Sequence, residues 1–170
     1  MKRKIATKDL VLTALFAALT AVLAQIQLPI GPVPFNLAVF GAFLAGMLLE
    51  PAWAAASMGI PVFAGFMGGP AVLLGKTGGY VIGYIFIALA TALAVKRSGK
   101  LPVIGAAMLA GLLVCYGFGT AWFMAVTGAD LVSALGWCVL PFIVPDVCKG
   151  VLACVLGRLL AGRLAKAGVA

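Results

Sequence analysis

The chain has 170 residues, of which 65% are hydrophobic and only 9% are charged, and its formal net charge is +8. Soluble domains carry about 25% charged residues, so this composition excludes a soluble domain and indicates a polytopic membrane protein. The basic residues cluster at the ends of apolar stretches, where they determine topology, so the positive charge does not indicate nucleic-acid binding. The sequence has no histidine, no CxxC pair and no acidic cluster, so no metal site is expected.

The first apolar run predicts a membrane helix over residues 9–27, after a basic amino terminus that we expect in the cytoplasm. The run is too long for a signal peptide and lacks a convincing small-residue cleavage site. Small residues spaced four apart let another helix approach closely in lipid, either from the same chain or from a partner. Two such pairs lie on this helix, Ala14 with Ala18 and Ala17 with Ala21.

Residues 29–36 predict a stiff extracellular loop, because three prolines within six residues prevent a helix. Phe35 and Asn36 lie at the end of this loop. They are placed either to cover a pocket or to form a plain connection to the next helix.

Residues 37–66 number only 30, whereas two membrane spans need about 34 or more. The basic amino terminus and the basic turn at 96–100 are both expected in the cytoplasm, so an even number of crossings must separate them. We therefore predict two unusually short helices over 37–49 and 52–65, with Glu50 at a cytoplasmic turn. A re-entrant hairpin is the alternative.

The next segment is rich in glycine and contains Lys76-Thr77-Gly78-Gly79 directly before a predicted helix. A helix start offers free N–H groups and the positive end of the helix dipole, which suits an anion. The segment is not a phosphate-binding loop of an ATPase, because Pro70 occupies the position of the first required glycine. The alternative is an ordinary turn with an exposed lysine.

Two further membrane helices are predicted over 78–95 and 103–126. Packing against lipid or at the interface is favoured over ligand stacking for three aromatic residues of the second helix, Tyr116, Trp122 and Phe123. Asp130 is expected to start a short surface helix over 131–139.

The last helix is predicted over 145–165, because Pro145 suits a first helical turn. Asp146 and Lys149 then lie on one face at the outer side of the membrane. They form either a mutual ion pair or part of a site for a small ligand with both donor and acceptor groups. No nucleophile–base pair or second carboxylate accompanies them, so an enzyme is not expected. The chain is thus predicted to be all-α, one membrane domain over 1–170 with six helices and both termini in the cytoplasm.

Four segments in this order resemble the BioY family, the biotin-binding membrane components of energy-coupling factor (ECF) vitamin importers: Gly-Pro-Val-Pro-Phe (31–35), Gly-Ile-Pro-Val-Phe-Ala-Gly (59–65), Gly-Lys-Thr-Gly-Gly-Tyr (75–80) and Leu-Pro-Phe-Ile-Val-Pro-Asp-Val-Cys-Lys (140–149). The resemblance implies a six-helix S component that captures biotin from outside, in the cell membrane of a prokaryote. It also implies docking on a transmembrane coupling protein and two ATPase subunits, for which the alanine face of the first helix is suited.

The resemblance also implies a set of biotin-binding residues. The Asp-x-x-Lys motif falls on Asp146 and Lys149, where the ureido N–H groups would meet the carboxylate and the ureido carbonyl would meet a donor. Lys76 is a candidate for the biotin carboxylate. The remaining implied contacts come from the loop beside the pocket and from apolar walls: Thr77, Gly78, Gly79, Tyr80, Phe35, Asn36 and Phe63.

The chain departs from the family pattern at several positions. Lys76 stands where the family usually has proline, Asn36 stands where threonine is common, and the segment 37–66 is shorter and lacks the usual basic turn. Two other function classes also stay open. One is a stand-alone secondary carrier for another small solute, and the other is a structural membrane protein without a ligand.

Overall fold

The computed structural model of the protein describes residues 6–63 and 70–168. Within these residues the chain is all-α, apart from one short antiparallel strand pair, as the sequence predicts. The elements, in chain order, are α1 Thr7–Gln25, β1 Gln27–Leu28, β2 Phe35–Asn36, α2 Ala38–Leu48, α3 Pro51–Phe63, α4 Pro70–Leu74, α5 Gly78–Arg97, α6 Leu101–Thr127, α7 Leu131–Cys138 and α8 Ile143–Lys166.

Three of these helices, α1, α5 and α6, are long and apolar enough to cross a membrane. A fourth span results if α7 and α8, which meet at an angle of 43°, are counted as one bent segment. Helix α2 is equally apolar but has only 11 residues. The fold is therefore that of a membrane protein whose long helices enclose shorter ones.

The helices differ from the predicted ones mainly at their ends. Helix α1 stops before the predicted end at residue 27, because Gln27 and Leu28 turn into a strand that pairs with Phe35 and Asn36. The predicted stiff loop is thus a small hairpin. Helix α8 begins at Ile143 rather than at residue 145, and Pro145 still lies in its first turn, where a missing N–H is tolerated. The short helix α4 was not predicted from the sequence.

Helix α2 is the centre of the bundle and contacts α1, α3, α5 and α8. It is hydrophobic on all sides, which is typical of a buried helix. Two glycines allow its close packing, because a Cβ at Gly41 would collide with Thr20 of α1 and a Cβ at Gly46 would collide with Thr91 of α5. The position of α2 brings its amino-terminal end, just after Asn36, against the start of α8.

One end of the bundle is marked by charged contacts. Glu50, in the turn between α2 and α3, forms an ion pair with Lys96 at the end of α5, with 2.7 Å between Oε2 and Nζ. Arg158 of α8 donates a 2.7 Å hydrogen bond to the carbonyl oxygen of Gly99. The turn containing Glu50 and the basic turn at 96–100 therefore lie side by side, at the end of the bundle remote from the first turn of α8.

Candidate functional site

A cavity of about 310 Å³ lies at the opposite end of the bundle, between the hairpin, the starts of α5 and α8 and the middle of α6. Ligand pockets in proteins range from about 300 to 1,000 Å³, so its size suits a small molecule. The residues lining it combine apolar and aromatic walls with a few polar groups: Ala24, Gln27, Val33, Pro34, Asn36, Val39, Val72, Lys76, Thr77, Tyr80, Val81, Tyr84, Cys115, Tyr116, Phe142, Asp146 and Lys149.

The charged pair of the last helix forms one wall of this cavity. The Nζ of Lys149 lies 2.7 Å from Oδ1 of Asp146, and the two residues are only 7% and 3% exposed. The residues thus form the ion pair of the first interpretation, and they also line a cavity in which the second interpretation would place a ligand. A buried ion pair costs desolvation free energy, so its position beside a cavity favours a role in binding.

Lys149 also contacts the hairpin. Its Nζ donates a 2.6 Å hydrogen bond to the backbone carbonyl of Asn36 and lies 3.7 Å from the centroid of the Phe35 ring. The Phe35 ring in turn stacks on Phe142, with 6.4 Å between the ring centroids. Phe35 does not itself line the cavity, so its observed contact is with Lys149 and Phe142 rather than with the cavity space that the sequence-based assignment gave it.

Tyr116 is a pocket residue that the sequence analysis assigned to lipid or interfacial packing. Its hydroxyl donates a 2.8 Å hydrogen bond to Oδ2 of Asp146, and the side chain is buried. Each oxygen of the Asp146 carboxylate therefore has one donor, Lys149 on one side and Tyr116 on the other. Nothing in the spacing of residues on two separate helices indicates this contact, because it depends on how α6 packs beside α8.

The orientation of the Asn36 side chain is fixed by two donors. Its Oδ1 accepts a 3.0 Å hydrogen bond from the backbone N–H of Ala38 and a 3.4 Å one from the hydroxyl of Tyr84. Because the backbone N–H can only donate, the amide oxygen must face it, and the NH₂ group is left for the cavity. Tyr84 itself was missed by the sequence analysis, although it follows Tyr80 by four residues on the same helix face.

Three residues of the glycine-rich segment line the cavity, Lys76, Thr77 and Tyr80. The hydroxyl of Tyr80 donates a 2.9 Å hydrogen bond to the carbonyl of Cys138, which ties α5 to the end of α7. Lys76 is exposed at the mouth of the cavity. Polar groups therefore lie both in the buried wall and at the mouth.

Gly78 and Gly79, which the resemblance includes among the substrate-binding residues, are not among the residues that line the cavity. A Cβ at either position would collide with neighbouring atoms, of Leu73 and Trp122 for Gly78 and of Phe118 and Trp122 for Gly79. Their small size instead allows α5 to pack against α6. Trp122, assigned to lipid or interface contacts from the sequence, donates a 3.0 Å hydrogen bond to the carbonyl of Gly75 and so supports the turn before α5.

Phe63 is the last residue of α3, and its side chain lies outside the described part of the structure. The alanines of the first helix divide into two groups. Ala14 and Ala18 are exposed, whereas Ala17 is buried and Ala21 is half-buried within the bundle. The second pair therefore packs largely against other helices of the same chain.

Among the described residues no group of three or more cysteine, aspartate or glutamate side chains could hold a metal ion. The cavity contains one carboxylate, two lysines, three tyrosine hydroxyls and two side-chain amides. Such a set can offer hydrogen bonds and charge to a small polar molecule, and the apolar walls suit a hydrocarbon part of the same ligand.

The model of the BioY family matches residues 1–166. The chain is 44% identical to "Probable biotin transporter BioY" of Pyrococcus horikoshii over 164 residues, which cover 91% of this chain and 97% of the relative. It is 36% identical to "Biotin transporter BioY" of Thermotoga maritima over 155 residues, 85% of this chain and 80% of the relative.

A solved structure is also similar. It is the crystal structure of "the S-component for biotin from an ECF-type ABC transporter", which superposes with a TM-score of 0.82 at 27% sequence identity and covers 94% of each chain. The match over nearly the whole chain, and the relatives that share it, establish what the four sequence segments indicate: this chain belongs to the BioY family.

Proposed function

We propose that this chain binds biotin in the cavity at the starts of α5 and α8 and acts as the S component of an ECF-type ABC importer for biotin uptake. The buried Asp146–Lys149 pair at the wall of a 310 Å³ cavity carries the proposal. The chain belongs to a family whose members include proteins named biotin transporters, which supports a transport protein rather than an enzyme.

The buried wall suits the ureido ring of biotin. That ring has two N–H donors and one carbonyl acceptor, and the wall offers the carboxylate of Asp146, the ammonium group of Lys149 and the NH₂ group of Asn36. Each Asp146 oxygen already accepts one protein hydrogen bond but has a second lone pair for a ligand N–H. We therefore expect the ureido N–H groups at Asp146 and the carbonyl at Asn36 or Lys149.

The mouth of the cavity suits the other end of the ligand. Lys76 is an exposed cation there, and Thr77 lies beside it at the start of α5. A carboxylate at this position would gain both the charge of Lys76 and the positive end of the helix dipole. The hydrocarbon tail of biotin would then lie along the aromatic wall that includes Tyr80, Tyr84 and Phe142.

The direct test is biotin binding to the purified protein, measured by isothermal titration calorimetry. We expect Asp146→Asn and Lys149→Met each to raise the Kd of biotin by about 30-fold or more, because disrupting a buried charge pair costs about 2–5 kcal/mol. Asp130→Asn is the matched control, because Asp130 is an exposed carboxylate that starts α7 and lies outside the cavity. Unchanged affinity in both cavity variants would refute the site.

The assignment of the carboxylate end has its own test. Lys76→Met should weaken binding of biotin but not of its methyl ester, because the ester has no charge to lose. Equal weakening of both ligands would place the carboxylate elsewhere. A panel of other vitamins in a thermal-shift assay tests the choice of ligand, since a ligand at excess stabilises the folded state that binds it.

We further propose that the chain is a single domain of six membrane segments over 1–170, in the cell membrane of a prokaryote, with both termini in the cytoplasm. The ion pair between Glu50 and Lys96 supports this arrangement, because it brings the turn between the two short helices to the basic end of the bundle. In a cysteine-free background, Ser98→Cys should react with an impermeant thiol reagent only after the membrane is opened. Ser133→Cys should react in intact cells, and the reverse pattern would contradict the topology.

The same role requires a transmembrane coupling protein and two ATPase subunits as partners. Ala14 and Ala18 on the exposed face of α1 are the residues we propose for docking, whereas Ala17 and Ala21 stabilise the bundle from within. Ala14→Trp with Ala18→Trp should abolish co-purification with the ECF module and ATP-dependent uptake while leaving biotin affinity unchanged. Uptake that persists without ATPase partners but requires a proton gradient would instead support a stand-alone carrier.

A further inference from the structure

A second cavity of about 320 Å³ lies on the outer side of the bundle between α6 and α8. We call it the α6–α8 groove, and its walls are formed by Leu101, Leu109 and Leu112 of α6 and by Val147, Val151 and Val155 of α8. Most of these side chains are exposed, at 52% for Leu101, 51% for Leu109 and 61% for Val151. Asp146, buried and paired with Lys149, is the one charged residue among the described residues that line the groove.

The length of the groove matches one leaflet of a membrane. From Leu101 to Leu112 helix α6 rises by about 17 Å, and half of a bilayer's hydrocarbon core is about 15 Å. Since α6 begins at the charged end of the bundle, the groove extends from that end to the level of Asp146. Apart from the buried Asp146, the residues of both helices that line the groove are apolar or small, which suits a surface that faces lipid tails.

The chemistry of the groove distinguishes between possible occupants. Apart from Asp146, its lining is leucine, valine and other apolar or small side chains, which suits a hydrocarbon chain. A phospholipid supplies such a chain together with a charged headgroup, so the residues at the end of the groove decide whether it fits.

Basic residues lie at the end of the groove where lipid headgroups are located. Lys100 directly precedes Leu101, and Arg158 follows Val155 by three residues on the same face of α8. The guanidinium group of Arg158 donates a 2.7 Å hydrogen bond to the carbonyl of Gly99, which holds it beside Lys100. Both side chains are exposed, so an anionic group can reach them from the membrane surface.

We propose that the α6–α8 groove is a binding site for one anionic phospholipid, with an acyl chain between α6 and α8 and the phosphate at Lys100 and Arg158. The lipid fills the space that the two helices leave open, and its chain packs against the outer face of the wall that carries Asp146. The groove shares only Asp146 with the biotin cavity, and its occupancy does not depend on the proposed transport function.

Native mass spectrometry of the purified protein tests the proposal. The protein is exchanged into detergent with defined amounts of phosphatidylglycerol or phosphatidylcholine, and the retained lipids are counted. We expect one phosphatidylglycerol to be retained preferentially. The double variant Lys100→Gln with Arg158→Gln should lower that preference by about fivefold for each charge. Arg163→Gln with Lys166→Gln is the matched control, because it removes two exposed charges of α8 outside the groove.

A second variant tests the groove itself. Gly105 lines the groove, and a Cβ built there meets no atom within 4 Å, so Gly105→Phe should place its ring in the groove. It should abolish retention of the lipid, whereas Gly162→Phe, an equally open position on α8 outside the groove, should not. Gly105→Leu gives the same test if the larger variant lowers the unfolding temperature. Equal retention of both lipids, retention unaffected at Gly105, or a protein dimer that Gly105→Phe dissociates would each overturn the proposal.

Discussion

The hydroxyl of Tyr116 donates a 2.8 Å hydrogen bond to Oδ2 of Asp146, opposite the oxygen that Lys149 contacts at 2.7 Å. The carboxylate is therefore held between two donors from different helices. Hydrogen bonds to ionised groups are roughly twice as strong as neutral ones. Through this contact, α6 helps to orient the carboxylate of Asp146, which we propose binds biotin.

Removing the Tyr116 hydroxyl should weaken biotin binding without removing the charged pair. We expect Tyr116→Phe to raise the Kd of biotin about tenfold or more, because a hydrogen bond to a charged group contributes about 1.5–3 kcal/mol. Tyr84→Phe is the comparison, since its 3.4 Å hydrogen bond to a neutral amide is longer and weaker. Calorimetry measures both variants, and an equal effect of the two would contradict the special role of Tyr116.

The charged pair should show strong coupling in a double-mutant cycle. Lys149→Met leaves Asp146 buried without its cation, which should destabilise the fold by about 3–5 kcal/mol. Asp146→Asn in the same chain removes the uncompensated charge, so the double variant should unfold at a higher temperature than Lys149→Met alone. Thermal unfolding in detergent measures the cycle, and strictly additive effects would show that the pair does not interact.

The packing role of Gly79 predicts a loss of stability that does not depend on ligand. Gly79→Ala forces a methyl group against Phe118 and Trp122 and should destabilise the protein by about 1–3 kcal/mol. Gly117→Ala is the matched control on α6, because its methyl group meets no atom within 4 Å. If both substitutions leave the unfolding temperature unchanged, the inference that α5 and α6 pack closely at Gly79 is contradicted.

The two roles of Asn36 can be separated by two substitutions. Asn36→Ala removes both the acceptor for the Ala38 N–H and the amide donor, so stability should fall by about 1 kcal/mol and biotin affinity should also fall. Asn36→Thr keeps an acceptor for the backbone but loses the NH₂ group, so affinity alone should fall. Equal affinity of Asn36→Thr and the original protein would show that the amide does not contact the ligand.

Acid should loosen α7 before the rest of the bundle. The backbone N–H of Ser133 donates a hydrogen bond to Asp130, which holds the pKa of that exposed carboxyl below its usual value near 3.8. A carboxyl whose pKa is lower in the folded state stabilises the fold at pH values above its usual pKa. This stabilisation is lost as the pH falls through the folded-state pKa. Hydrogen exchange at residues 131–135 should therefore accelerate below about pH 4, relative to Asp130→Asn, whose amide also caps the helix without titrating.

The sequence determined the class of the protein because hydropathy acts locally. Long apolar runs must become helices in a membrane, where each backbone polar group needs a partner within the segment. The same reasoning located the start of α5 at Gly78 and brought Asp146 and Lys149 together, since residues three apart on a helix share one face. The ligand, by contrast, was indicated by resemblance to a family, and the residues alone indicated only a small molecule with donor and acceptor groups.

Only the tertiary structure decided which side chains form the cavity. Tyr116 reaches Asp146 across 30 residues of sequence, and Lys149 reaches the carbonyl of Asn36 across 113, and no local pattern encodes either distance. The sequence around Gly79 is the same whether the residue faces a ligand or a neighbouring helix. Its packing against Trp122 is therefore known only from the tertiary structure. The pattern along a helix fixes which residues share a face, but the partner of that face depends on how the helices pack.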